Sequence, residues 1–336
     1  MALIVFGYAA MHFLVDFICA WAMFFRFSAG ADGYINILIY NFCAFALQMP
    51  LGTILDARKD NPRLPMIWSI CGAALTTAGA LLHPALLGLG NAMFHVGGGM
   101  DVIREDFAQN RRGADLGIFV APGALGLYFG GILADQLPNY ALLLIAGCLL
   151  AALSLYLLMK QKSTDMVERQ VPRSRGVPVL LVCCFAVVVF RSWAGLGISF
   201  PWKAEYGLLS VLASAMGKAL GGIVAARFGM GRTMCVSLVL SSGCFLLGNH
   251  PVCGILALLL FNMTMPVTLY LLAEQLPHLP GFSFGLLTFG LFLGFLPVYA
   301  GVDAPIPGTV FGCLVSLGSL LLLYMGLKAV KQDVLS

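Results

Sequence analysis

Twelve apolar stretches fill almost the whole chain, at approximately 2–25, 33–56, 64–82, 84–103, 115–137, 139–159, 178–200, 204–227, 232–248, 252–273, 280–300 and 306–330. About 20 apolar residues span the hydrocarbon core of a bilayer as a helix. In lipid only a helix or a closed barrel satisfies its own backbone hydrogen bonds. These stretches lack the period-two alternation of barrel strands. The expectation is an all-α membrane protein with twelve transmembrane helices. Composition agrees: 10% of the residues are charged, where a soluble domain carries about 25%. The connections are short, so function must reside in the few polar groups inside the membrane.

The first stretch is expected to be a span and not a cleaved signal peptide. Met1–Phe6 holds no Lys or Arg, and His12 and Asp16 interrupt the apolar run. Cytoplasmic connections carry the excess of Lys and Arg. With the N-terminus inside, those connections hold Arg58, Lys59 and Arg63; Arg104, Arg111 and Arg112; Lys160, Lys162, Arg169, Arg173 and Arg175; Arg227 and Arg232; and Lys328 and Lys331. The outer face receives only Arg26 and Lys203, while Arg191 and Lys218 lie within spans. Both termini are therefore expected in the cytoplasm of a cell with this protein in its inner or plasma membrane. The net charge of +4 then reflects topology and not a nucleic-acid partner. The ten cysteines fall mostly inside spans with no metal-type spacing, so they read as packing residues, with neither disulfides nor a metal assigned. The chain has no Gly-Lys-Ser/Thr phosphate loop and no soluble catalytic domain, so neither enzyme activity nor a cofactor is expected.

The longest polar connection, Gln161–Val177, divides an N-terminal six-span half (1–160) from a C-terminal one (178–336). The halves also repeat. Gly52, Asp56 and Arg58 close span 2 before an inner turn; Gly222, Arg227, Gly229 and Arg232 close span 8 before another, with the two glycines 170 residues apart. Parallel six-span repeats are one transporter architecture, with the substrate site near the midplane.

These two segments resemble the loop motif of the major facilitator superfamily, Gly-x-x-x-Asp-Arg-x-Gly-x-Arg-Arg. The first copy has Lys59 at a glycine position, and the second has Ala226 for the Asp. In that family the loop braces helix ends and tunes the switch between inward- and outward-open states. The resemblance implies gating roles for Gly52, Asp56, Arg58, Gly222, Arg227 and Arg232. Span 5, from Gly117 through Ala121, Pro122, Gly123 and Gly126 to Gly130 and Gly131, is similar to the superfamily's antiporter motif, with Ala121 for a glycine. Pro122 imposes a local bend, and the small residues allow close helix packing. A narrower resemblance, to the fosmidomycin-resistance-like exporters, rests on His12–Asp16, Phe94–Gly99, Phe190–Trp193 and Asn262–Thr268.

An ionisable group at mid-bilayer costs at least about 2.5–3.5 kcal/mol on insertion scales and reads as functional. His12 and Asp16 share one face of span 1. A carboxylate beside an imidazole holds or releases a proton near neutral pH, so this pair is the expected coupling site. A helix–helix packing bond is the alternative. Arg191, in the counterpart span 7, is expected to pair with Asp16 or to bind an anionic substrate group. Lys218, His95, Trp193 and Asn262 complete the expected substrate cavity; Phe190 and Trp193 also flank Arg191 for apolar or cation–π contact. Asp101 and Arg104 are expected to form a gating pair. The expectation is a proton-coupled exporter of a small organic compound, an anionic one among the candidates, working as a monomer in the bilayer by alternating access. Uptake or facilitated diffusion on the same fold is one alternative. A lipid flippase or a membrane sensor is another.

Overall fold

A computed structural model of the chain describes residues 2–58, 61–137, 139–160, 174–302 and 306–335. Lys59, Lys162, Arg169, Arg173 and most of the Gln161–Val177 connection lie outside the described residues. Among the described residues all regular structure is helical. Ten helices among the described residues are long and apolar enough to cross a membrane: α1 (Leu3–Phe27), α2 (Gly33–Ala57), α3 (Leu64–Leu82), α5 (Ala114–Gln136), α6 (Tyr140–Lys160), α7 (Val177–Gly197), α8 (Gly207–Phe228), α10 (Pro251–Gln275), α11 (Pro280–Tyr299) and α12 (Gly308–Lys331). Two further helices stand between them. The helix α9 (Met230–Leu246) is apolar but short, and α4 (Pro84–Ala108) is 25 residues long. Glycines, Asn91, His95 and Asp101 dilute the hydropathy of α4. It is buried almost continuously from Phe94 to Phe107, so it needs protein neighbours more than lipid-like side chains.

The chain forms two compact units: Met1–Gln109 with Ile118–Val167 and Leu279–Gly285, and Asn110–Gly117 with Glu168–His278 and Leu286–Ser336. In the first unit, α3 and α4 form an antiparallel hairpin in backbone contact. A Cβ added at Gly72, Gly79, Gly90 or Gly97 would meet the main chain of the other helix. The α1–α5 contact is built the same way, with Gly126 and Gly130 against the carbonyls of Phe13 and Phe17. Helices in lipid gain little from apolar burial against each other, so close backbone approach and polar contacts hold such pairs. The span-5 motif therefore has a direct packing consequence: it brings α5 onto the polar face of α1.

The second unit uses the same device. Gly217 and Gly221 of α8 lie on the carbonyls of Leu259 and Met263 in α10, and Gly294 of α11 lies on that of Val189 in α7. The two loop motifs also correspond in structure. Gly52 packs on Gly281 in the first unit, and Gly222 packs on Gly113 in the second. The contacting glycines are offset by 170 and 168 residues. Gly113 adopts φ +92°, a conformation that favours glycine. Large apolar side chains such as Leu144, Leu155, Met159, Val182 and Leu321 are exposed on the outer helix faces, as lipid contact requires.

Candidate functional site

Inside the first unit, α1 and α4 bring three ionisable side chains together. His12 and Asp16 stand one turn apart on α1, with His12 Nε2 3.2 Å from Asp16 Oδ2. His95 of α4 places its Nε2 2.8 Å from His12 Nε2 and 3.7 Å from Asp16 Oδ1. All three are at least nine-tenths buried. Asn91, one turn before His95, donates from Nδ2 to Asp16 Oδ1 at 3.1 Å and to Cys19 Sγ at 3.4 Å. Gly123 of α5 forms the wall: a Cβ there would collide with His12 Nε2 and Asp16 Oδ2. The glycine after Pro122 thus leaves room for the cluster itself.

The remaining ring nitrogens settle the tautomers. His12 Nδ1 lies 2.8 Å from the Phe119 carbonyl, and His95 Nδ1 lies 2.9 Å from the Asn91 carbonyl. A carbonyl oxygen only accepts, so both Nδ1 atoms carry hydrogen and donate. Each neutral ring then presents a bare lone pair at Nε2. Two such lone pairs 2.8 Å apart, with a carboxylate beside them, repel unless a positive centre lies among them. One proton shared between the imidazoles, with Asp16 as its counter-charge, would satisfy this arrangement.

A divalent ion is the other occupant to test. The donor atoms of His12, Asp16 and His95 all lie within 4.8 Å of one another. Two nitrogens on a tetrahedral ion, at bond lengths of 2.0–2.1 Å, stand about 3.3 Å apart. The observed 2.8 Å is a hydrogen-bond length and suits a proton better.

Asp56 occupies a second position of consequence. Its carboxylate accepts from the backbone N–H of Gly281 at 2.9 Å and of Phe282 at 2.7 Å. Those groups open α11, where backbone donors lack intrahelical partners. Nearby, Asp101 accepts from the Tyr8 hydroxyl at 2.6 Å. Arg104 reaches the Pro62 carbonyl at 3.5 Å through Nη1, and its Nε has no hydrogen-bond partner among the described residues. Both side chains are buried, as are the neighbouring Glu105 and Asp106. Arg58, Arg227 and Arg232 are exposed. In the second motif copy Ala226 stands where Asp56 stands in the first, so it has no carboxylate to offer a helix end.

The residues expected to line a substrate cavity are distributed differently. His95 belongs to the α1–α4 cluster. Arg191 of α7 is 7% exposed. No hydrogen bond or ion pair reaches it from the described residues, and its Nη1 is wholly enclosed. Trp193 Nε1 is likewise enclosed without a partner among them, while its ring meets Phe311 edge-on at 5.0 Å. Phe190 is 41% exposed; it faces outward and makes no cation–π contact with Arg191. Lys218 is half-buried. Asn262 donates to the Leu258 carbonyl of its own helix at 2.8 Å. Tyr8, Gly123 and the Phe119 carbonyl gain roles that their sequence patterns do not mark, because each depends on which helix lies alongside.

No family model matches the sequence, and no curated protein matches it. Solved structures do match the fold. The human organic anion transporter MFSD10 superposes with a TM-score of 0.67 at 15% identity, covering 97% of this chain and 98% of that one. The E. coli fucose:proton symporter FucP gives 0.63 at 13% identity, with 98% and 97% covered. A bacterial homologue of the iron transporter ferroportin, in an outward-facing state, gives 0.60 at 16% identity, with 99% and 100% covered. These likenesses show the fold alone, one that FucP, a Major Facilitator Superfamily transporter, shares; with ten described helices long and apolar enough to cross a membrane, the chain is a multi-pass membrane protein.

Proposed function

We propose that the protein is a proton-coupled secondary transporter that exports a small organic compound by alternating access, without enzymatic chemistry. The observation that carries this reading is the His12–His95 contact at 2.8 Å beside Asp16. Three acceptors converge on a place for one proton. When that proton leaves, lone-pair repulsion and the uncompensated Asp16 charge push α1 and α4 apart. Protonation is thereby tied to helix position, which is what coupling requires. Proton-linked transport on this fold is named for FucP, and organic-anion transport for MFSD10.

The Asp56 bond to the start of α11 supports a role in gating. A carboxylate bound to helix-end N–H groups is favourable in one state and is released in another. Arg104, Asp101 and the arginines of both motif copies complete the proposed cytoplasmic gate. Lys218, Trp193 and Asn262 are proposed cavity residues of the C-terminal half. Export as the direction follows from the span-5 motif and from the patches shared with fosmidomycin-resistance-like exporters. Cytoplasmic termini in a cell membrane, and action as a monomer, belong to the same proposal.

The experiment is flux in proteoliposomes under an imposed pH gradient, using a compound selected by growth of expressing cells on a panel. Compound movement opposite to the proton gradient, abolished by a protonophore, is the expected result. Movement with the protons would make the protein an uptake symporter. Movement indifferent to the protonophore would remove the coupling.

A further inference from the structure

From Arg191 we infer that the C-terminal half holds a binding site for the anionic head of a small amphipathic compound, a carboxylate or phosphonate on an aromatic or apolar body. The inference rests on the transporter reading only in treating that anion as cargo. Arg191 is the only buried charged side chain among the described residues from Ser174 onward. A guanidinium does not deprotonate in a protein, so its charge must be balanced by another group. No described residue balances it. A buried charge without a counter-charge is strongly unfavourable, and such a group inside a span is retained for function. Arginine's planar fork matches the two oxygens of a carboxylate or phosphonate.

The surroundings describe the rest of the ligand. On α7, Cys184, Val187, Val188 and Ala194 are buried, and none carries charge. The helix α11 packs directly on this stretch: Gly294 lies against Val189 and Trp193, and the Ser192 hydroxyl donates to the Leu291 carbonyl at 2.8 Å. It also carries Phe289, Phe292 and Phe295, whose rings follow one another at 6.5 and 6.3 Å. Trp193 adds an indole N–H with no partner among the described residues, a second donor for an oxygen-rich group. One fixed cation on a buried helix face whose other buried residues are uncharged suits an organic anion and disfavours cations.

Thermal unfolding of the full chain in phosphatidylcholine nanodiscs tests this with phenylphosphonate, benzoate and neutral benzamide as probes. The two anions are expected to raise Tm, and benzamide is not. Arg191→Lys should weaken anion binding by about tenfold, the cost of one well-made charged hydrogen bond. Arg191→Met should abolish it. Without ligand, Arg191→Met should melt no lower than the unsubstituted protein, because it removes an uncompensated charge.

Equal stabilisation by benzamide, no stabilisation by either anion, or undiminished binding in Arg191→Met would each overturn the assignment. So would collapse of the unliganded Arg191→Met fold, which would make Arg191 a structural strut. Loss of probe binding in discs containing phosphatidylglycerol would identify a lipid headgroup as occupant and overturn the small-molecule assignment. Probe binding is read without a proton gradient, so the anion assignment and the proton coupling fail independently: flux can lose its proton dependence while the probes still bind, and the reverse.

Discussion

At the residue scale, the His12–Asp16–His95 cluster depends on what each ring does with its far nitrogen. The Phe119 and Asn91 carbonyls fix both Nδ1–H groups, so both Nε2 atoms are committed to the shared site. His95→Gln keeps a polar group but removes one of the two proton acceptors. It should lower gradient-driven flux by about tenfold or more, the equivalent of losing one charge-assisted hydrogen bond, while leaving the helical content measured by circular dichroism unchanged. Wild-type flux in this variant would reduce His95 to a packing residue. The sequence pointed to His12 and Asp16 through their one-turn spacing, which is a local property of a helix. It did not join His95 to them, because 83 residues separate the two histidines and only the packing of α4 on α1 brings them together. Phe190 shows the reverse limit. Adjacency to Arg191 in sequence suggested contact, but neighbours on a helix point in different directions, and Phe190 faces outward.

At the element scale, glycine position separates contact from exposure. Gly126 lies on the Phe13 carbonyl, whereas nothing lies within 4 Å of a Cβ placed on Gly318. Gly126→Ala should therefore push α5 from α1 at an overpacking cost of about 1–3 kcal/mol and lower the melting temperature. Gly318→Ala should leave that temperature unchanged or raise it slightly, since it adds helix propensity in open space. Equal effects of the two changes would contradict the packing account. The span-5 motif was legible as a small-residue face, and that face is a helix contact. Its second consequence, the space Gly123 leaves for His12 and Asp16, was not legible, because it depends on the rotation of α5 against α1. The stretch 84–103 was legible as apolar and a helix forms there, but that helix runs on to Ala108 through Arg104, Glu105 and Asp106, charged residues that protein burial and not lipid accommodates.

At the scale of the whole molecule, two degenerate loop motifs suggest a repeat, and Gly52 lies against Gly281 as Gly222 lies against Gly113. The repeat is unequal. Asp56 binds the start of α11, and Ala226 offers no equivalent. The ionisable groups are unequal as well, with the His12–Asp16–His95 cluster in the first unit and the buried Arg191 in the second. The most direct measurement uses liposomes with a pH-sensitive dye in the lumen, driven by a gradient of a transported compound. The native protein should move protons opposite to the compound, so that luminal pH rises as compound enters and falls as it leaves, while Asp16→Asn should exchange the compound with no pH change. Proton movement at the native rate in Asp16→Asn would contradict the assignment of the cluster as the proton carrier.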